Sequence, residues 1–371
     1  MKKKKVLFIH NSVAEYRVEF WKYLSELVDM RLLVTNKELD NRIYGLEKNT
    51  QGLDILFFSF EAGFLNPEWD VKNYDLVILP PADTFKEFLI GLIFAVLCKM
   101  YKKKCIYWTE HWEAPVKEQS FLRFGFNITK HIEIGILSRL ADKCIASGTK
   151  ASEFYRSIGI KDDKIEVAID SSTSPQSTET VNFRATYGIP DTDEVILYFG
   201  RIVERKGLNF LLKAYKAMEK KNKWLIVCGE GAFLPTAKKY VEENNLSHVI
   251  FTGKIQPKTR KSYYERADVF VLPSYPRKGS VEIWGLTVNE ALEAGTPVVA
   301  TNAVGAAYDL LDGKNGIMVE HSSAVKLKEA IEKYVNKDMF KENCKETANR
   351  YSVHNMAQTF ADCIDNCVDA N

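Results

Sequence analysis

The feature that most constrains this chain is a pattern repeated on both sides of one polar stretch. Short apolar runs, largely β-branched, alternate with helical patterns. In the first half the runs fall at 6–9, 31–34, 55–58, 76–79, 105–107, 143–146 and 165–167, with helical patterns at 15–28, 84–100, 128–140 and 150–158. In the second half they fall at 195–199, 224–227, 249–251, 269–272, 298–300 and 317–319, with helical patterns at 208–220, 234–244, 260–267, 288–294 and 324–335. Strands apolar on both faces and separated by helices argue for α/β architecture with parallel sheets covered on each side. The Ser/Thr-rich stretch at 171–180, with its single proline, reads as a linker. The expected organisation is a Rossmann-like domain at 1–175, a linker at 176–192, a second Rossmann-like domain at 193–350 and a terminal helix within 351–371. Two doubly wound domains facing each other would leave an interdomain cleft at the carboxyl ends of their strands, where open α/β sheets bind ligands.

With 371 residues the chain can bury two cores without disulfides or structural metals. Hydrophobic residues at 46% and charged residues at 27% exclude wholesale disorder. Cationic and acidic residues number 25 and 25 in 1–180, and 26 and 24 in 181–371, so neither half carries the basic footprint of a nucleic-acid binder. The seven cysteines are odd in number and form no CxxC, which fits reduced thiols and a cytoplasmic setting. Cys363 and Cys367, four apart on a helical pattern, read as two small helix residues.

The basic start, Lys2 to Lys5, is followed by only four apolar residues, too few for a signal sequence. The longest apolar run, 88–98, is too short to span a bilayer. It leads into Lys99 and Lys102–Lys104. Two readings stand. One is a helix lying on an anionic membrane face, which would place the protein at the inner face of the plasma membrane. The other is a core helix whose basic last turn suits its dipole.

Chemistry concentrates after position 195. Tyr198-Phe199-Gly200-Arg201 runs from a strand into a glycine turn, and Lys206-Gly207 opens a helix. Arg can fork two phosphate oxygens and Lys adds a compact charge, beside free helix amides. Alone, such a pair reads equally as solvated loop charges. Further on, Glu282 and Glu290 flank Gly285, with seven residues between them. Gly285 admits close approach of backbone to a ligand, and the amides of Leu286 and Thr287 would face an anion. Two carboxylates on either side of an anion site suit a ligand with hydroxyls at both ends and phosphates between. No DxD motif or His/Asp cluster appears, so no metal is expected.

These elements, together with Gly229-Glu230-Gly231, Phe251-Thr252-Gly253, Leu272-Pro273-Ser274, the run Ala291 to Ala300 (ALEAGTPVVA) and Gly313-x-x-Gly316, resemble the retaining glycosyltransferases of family 4, over 195–320 in order. The resemblance implies a GT-B fold, with the last helix, 352–368, packing back on the first domain. It implies transfer of a hexose from a nucleoside diphosphate sugar, UDP-sugar favoured, to a hydroxyl of a glycan or lipid-linked glycan, as in cell-surface polysaccharide synthesis. No cofactor is implied. Arg201 and Lys206 would stabilise the leaving diphosphate, Glu290 would take the ribose hydroxyls and Glu282 those of the transferred sugar. Gly200, Gly229 and Gly285 would lie along the donor, with Gly253, Lys254 and Ile255 near the base and Leu286 and Thr287 at the phosphate. An epimerase on the same fold, and a non-catalytic nucleotide-sugar-binding subunit, are the alternatives.

The chain departs from the family in three places. The loop 10–17 (HNSVAEYR) has no glycine where family members often have a Gly-Gly pair. Trp284 stands where Phe is common. Val304 to Asp309 (VGAAYD) replaces a Gly-Gly-x-Pro-Glu pattern, which implies different sugar contacts. His111, just past a strand, matches a histidine that some members place near the transferred sugar; a structural loop histidine is the other reading. Tyr16, Arg17 and Glu110 are candidates for the acceptor side.

Overall fold

A computed structural model describes residues 3–36, 50–172, 179–218 and 222–370. Contacts divide the chain into two units: Met1–Trp112, Phe124–Ser172 and Val353–Asn371 form one, Glu113–Arg123 and Thr173–Ser352 the other. Residues 113–123 thus cluster with the second unit, although their position in sequence lies inside 1–175. Residues 173–178 of the expected linker lie outside the described residues.

The first unit is a seven-stranded parallel sheet. Its strands are β1 (Lys5–His10), β2 (Asp29–Val34), β3 (Ile55–Phe57), β4 (Leu76–Leu79), β5 (Lys104–Thr109), β6 (Lys143–Ala146) and β7 (Ile165–Val167), in the order β3-β2-β1-β4-β5-β6-β7. The crossover helices are α1 (Val18–Leu27), α2 (Phe85–Met100), α3 (Phe121–Leu140) and α4 (Thr149–Ser157). Side chains alternate along each strand, so β1 sends Val6 and Phe8 to one core and Leu7 and Ile9 to the other. The first core is closed by Phe20, Trp21 and Leu24 of α1 and by Met356, Phe360 and Ile364 of the C-terminal helix Val353–Asp369. The second is closed by Phe88, Phe94 and Cys98 of α2 and Ile134 and Leu137 of α3. Thr84 caps α2 through a capping box with Glu87, which ends the preceding loop and starts the helix.

The second unit repeats the plan with six strands: β8 (Glu194–Phe199), β9 (Lys223–Cys228), β10 (Val249–Gly253), β11 (Val269–Leu272), β12 (Val298–Thr301) and β13 (Gly316–Val319), ordered β10-β9-β8-β11-β12-β13. Its helices include α5 (Leu208–Lys216), α6 (Leu234–Glu243), α7 (Arg260–Glu265), α8 (Thr287–Glu293), α9 (Gly305–Leu310) and α10 (Ala324–Tyr334). Leu211 and Leu212 of α5 and Leu327 and Ile331 of α10 pack against Ile196 and Tyr198 of β8. In both units the strand order reverses beside the first strand, between β1 and β4 and between β8 and β11. Adjacent crossovers there leave the sheet on opposite faces, and the carboxyl ends open into a crevice.

Candidate nucleotide-sugar site

In the second unit the crevice is lined by the loops that leave β8 and β11. Close backbone approach holds them together. Gly207 has φ +73°, and a Cβ there would lie 1.8 Å from the Pro273 carbonyl oxygen. At Gly229 a Cβ would lie 1.9 Å from the Gly200 carbonyl oxygen, and the Gly229 amide donates to the Gly253 carbonyl at 2.8 Å. Gly200, Gly229 and Gly253 therefore sit side by side at the ends of β8, β9 and β10. The Tyr275 amide donates to the Arg205 carbonyl at 3.0 Å, tying the β11 loop to the β8 loop.

Glu282 is the hub. Lys206 Nζ lies 2.6 Å and Arg205 Nη1 2.8 Å from the same oxygen, Oε2. Its amide donates to the Ala303 carbonyl at 3.0 Å and its carbonyl accepts from the Gly305 amide at 3.0 Å, so its backbone is clamped to the loop that enters α9. Burial alone would push the Glu282 carboxyl up; Lys206 and Arg205 override it and hold the group below the ordinary carboxylate range. Burial pulls Lys206 below the ordinary lysine range, with Glu282 opposing. One carboxylate against two cations leaves a net positive site, suited to an anion.

Glu290, in the first turn of α8, is held by a different pair. Arg260 Nη1 lies 2.8 Å from Oε1, and the Tyr264 hydroxyl donates to Oε2 at 2.7 Å. The Arg260 guanidinium also stacks over the Phe199 ring, 5.3 Å from its centroid. Arg260 and Tyr264 lie one turn apart on α7, so one helix face positions the carboxylate. Gly285, Leu286 and Thr287 lead into α8, and the Trp284 indole nitrogen donates to Asn289 at 3.0 Å, fixing that entry. Ser274 Oγ and Thr287 Oγ1 are buried with no hydrogen-bond partner among the described residues. A buried hydroxyl left unpaired costs about 1–3 kcal/mol, which a bound polar ligand would recover.

Arg201 is exposed on the loop after β8, and its carbonyl accepts from the Tyr198 hydroxyl at 3.0 Å. Lys254 is exposed and Ile255 half-buried, just past β10. The structure thus gathers Lys206, Glu282, Gly285, Leu286, Thr287 and Glu290 around the loops after β8 and β11, with Gly200, Gly229 and Gly253 at the neighbouring strand ends. Sequence reasoning missed Arg205, Arg260 and Tyr264, and quoted Ser274 only as part of a motif, with no role. Arg205 adjoins Lys206, and Arg260 and Tyr264 share i,i+4 spacing, the signals that could have found them.

The remaining candidates lie in the first unit, at the ends of β1 and β5. Arg17 was expected on the acceptor side. It is only 1% exposed: its guanidinium forks Asp170, with Nη2 2.7 Å from Oδ2, and reaches Glu110 Oε1 at 2.5 Å. It also stacks at 5.1 Å from the ring centroids of Tyr16 and Trp108. Arg17 therefore supports Glu110 from beneath. Burial, reinforced by Asp170 and Asp83 and opposed by Arg17, pushes the Glu110 carboxyl up to about 7. Asn11 donates to Asp83 at 2.5 Å, joining the Gly-less loop after β1 to the loop after β4. His111 donates its amide to Thr109 Oγ1 at 3.1 Å, and its ring lies edge-on to Phe154 at 4.6 Å. Among the described residues no group of three or more His, Cys, Asp or Glu side chains is placed to hold a metal ion.

Residues 180–351 match the family model of glycosyl transferases group 1. An uncharacterised glycosyltransferase of Methanocaldococcus jannaschii is 34% identical over 143 residues, 38% of this chain and 35% of that protein. A GDP-mannose-dependent α-(1-6)-phosphatidylinositol monomannoside mannosyltransferase of Mycolicibacterium smegmatis is 30% identical over 152 residues, 40% of each chain. The chain thus spans well under two thirds of the length of these relatives. Among solved structures, Anabaena HepE in complex with UDP superposes with a TM-score of 0.73 at 18% identity, covering 98% of this chain and all of that one. Sucrose-phosphate synthase from Thermosynechococcus elongatus gives 0.73 at 17% identity, with both chains fully covered. The fold is GT-B.

Proposed function

We propose, from the premise that residues 180–351 are a group 1 glycosyltransferase domain, that this protein transfers a hexose from a nucleoside diphosphate sugar to an acceptor hydroxyl with retention of anomeric configuration. The observation that carries the reading is the convergence of Arg205 and Lys206 on buried Glu282 at the strand-order reversal of the second unit. When a diphosphate departs, it gains negative charge in the transition state. Lys206 and Arg201 meet that charge, and the amides of Leu286 and Thr287 add to it without a metal ion. Glu282 accepts from hydroxyls of the transferred sugar, Glu290 from the ribose. The leaving phosphate oxygen takes the acceptor proton on the same face.

The acceptor is read as a glycan or lipid-linked glycan of cell-surface polysaccharide synthesis, met at the cytoplasmic side of the membrane. His111 and Glu110 serve the sugar and acceptor side. UDP accompanies HepE, and the mycobacterial relative is named for GDP-mannose. A UDP-sugar is the favoured donor here.

Thermal unfolding with a panel of nucleoside diphosphates tests the reading, on wild type and on Lys206→Ala. Ligand at about a hundred times Kd adds roughly 2.7 kcal/mol to the bound unit. One diphosphate should stabilise wild type and lose that effect in the variant. No shift from any diphosphate would overturn the donor site. Binding without turnover of any sugar donor would favour a non-catalytic subunit, and donor conversion without acceptor an epimerase.

A further inference from the structure

Helices that cover one face of an α/β sheet ordinarily turn a polar face to water. Helices α2 and α3 do not. Their inner sides fill the second core of the first unit with Phe88, Phe94 and Cys98, and with Ile134 and Leu137. On the outer side of α2, Phe85, Leu89, Ile93, Val96 and Met100 are exposed, Phe85 by 63% and Met100 by 66%. Spacings of four, four, three and four put them on one stripe. On α3, Phe124, Ile128, Ile132 and Ile136 repeat every four residues and form a second exposed stripe, with Ile132 58% exposed.

The two stripes lie side by side. Helix α2 links β4 to β5 and α3 links β5 to β6, so both run in the same direction over neighbouring strands. The two helices touch at Gly91, where a Cβ would lie 3.3 Å from Leu137 Cδ1. The result is one apolar surface, two helices wide. Its charges are mainly positive. Neither helix exposes a carboxylate: Glu87 is buried in the capping box at Thr84, and Glu133 is buried 2.6 Å from Lys130. Lys86 and Lys99 on α2, Lys102 just beyond it and Arg139 near the end of α3 are exposed; against them stand exposed Asp83 ahead of α2 and half-buried Asp142, which pairs Lys99 at 3.2 Å.

We propose that this surface docks the protein peripherally on an anionic lipid bilayer. Apolar side chains in long stripes suit the acyl boundary, and a rim in which cations outnumber carboxylates suits anionic headgroups. A second copy of this chain would meet cations with cations, which makes it the poorer occupant. Among the described residues no helix is long and apolar enough to cross a membrane, so the contact is interfacial. This goes beyond donor chemistry and uses none of the residues placed at the donor site.

The test is co-sedimentation of the full chain with vesicles of phosphatidylglycerol or of phosphatidylcholine, at low and at high salt. Wild type should pellet with the anionic vesicles and be released by salt. The double variant Ile93→Glu, Ile132→Glu should bind at least about tenfold more weakly, because it puts charge into both stripes. Lys86→Gln should weaken binding about fivefold, the share of one cation near an anionic surface. Both variants should keep the wild-type melting profile and the shift given by a nucleoside diphosphate, so failure of this proposal is separable from failure of the donor site. Three results would overturn it: no pelleting of wild type with anionic vesicles at low salt, unchanged binding by the double variant, or a lipid-free dimer that the double variant abolishes.

Discussion

The two units share one strand order over six strands and gather ionic side chains at the same topological place, with opposite charge balance. In the first unit one buried cation, Arg17, serves two carboxylates, Asp170 and Glu110. In the second, one carboxylate, Glu282, serves two cations, Arg205 and Lys206. Glu290 in that unit is balanced by Arg260 and a tyrosine hydroxyl. The consequence shows in the carboxylates themselves. Glu110 is pushed up to about 7 by burial, with Asp170 and Asp83 adding and Arg17 opposing, whereas Glu282 is held low despite its burial. Topology supplies the crevice, and the ratio of cations to acids decides what it can hold. The second unit suits an anion; the first suits hydroxyls and a proton.

The strongest way to break this comparison is to remove Arg17. Asp170 would lose the guanidinium that forks both its oxygens, and breaking a buried ion pair from one side costs about 3–5 kcal/mol. Arg17→Met should therefore lower the denaturant midpoint of the first unit markedly, and Arg17→Lys should restore little, because an ammonium lacks the fork that meets both Asp170 oxygens. A wild-type midpoint in Arg17→Met would show that the first cluster is not a structural strut. Lys206→Ala should behave in the opposite way. Arg205 remains to pair Glu282, so stability changes little, but kcat for sugar transfer should fall about 10²–10³-fold, the scale of losing one preorganised donor to developing charge. A loss below fivefold would remove Lys206 from the chemistry.

A finer cut separates the two carboxylates of the second unit. Tyr264→Phe deletes one hydrogen bond to Glu290 and leaves Arg260 in place. A hydrogen bond to a charged group is worth about 1.5–3 kcal/mol, part of which solvent recovers. Affinity for the nucleoside diphosphate, measured by calorimetry, should fall about five- to tenfold, with kcat at saturating donor nearly unchanged. Equal losses in kcat would place Glu290 with Glu282 in the reacting half of the site.

How much of this could be read from the sequence follows from the range of each interaction. The sheets were legible because strands such as β4, and β8 after Glu194, are unbroken apolar runs. The carboxylates 282 and 290 were legible because their spacing is local. Arg17 and Asp170 lie 153 positions apart, and no local pattern links them. Helix α3 begins at Phe121 instead of at 128, because an apolar outer face erases the amphipathic period that marks a helix start. The helix Lys341–Arg350 escaped for the converse reason: it is almost wholly polar and buries Cys344 alone. Gly305–Leu310 is too short to show a period.

The smallest expected effect sharpens the comparison most, because two groups that both feel Arg17 in the first unit titrate with opposite sign. Glu110, ordinarily near 4.5, is pushed up to about 7. Between those values the folded chain holds the proton more firmly than the unfolded one, so this group's contribution is lost as pH rises through 7. His10, ordinarily near 6.5, is lowered to about 4 by burial, with its hydrogen bond to the Ser12 carbonyl opposing and Arg17 adding. There the unfolded chain holds more proton, and stability is lost as pH falls through 4. Over roughly pH 4.5–6.5 the two slopes oppose and the wild-type profile should be shallow. Glu110→Gln should tilt it, with stability of the first unit rising with pH; His10→Asn should tilt it the other way. Both are read as denaturant midpoints at several pH values. Parallel profiles for wild type and both variants would mean that solvent already satisfies these groups, and the contrast with Glu282 would then rest on geometry alone.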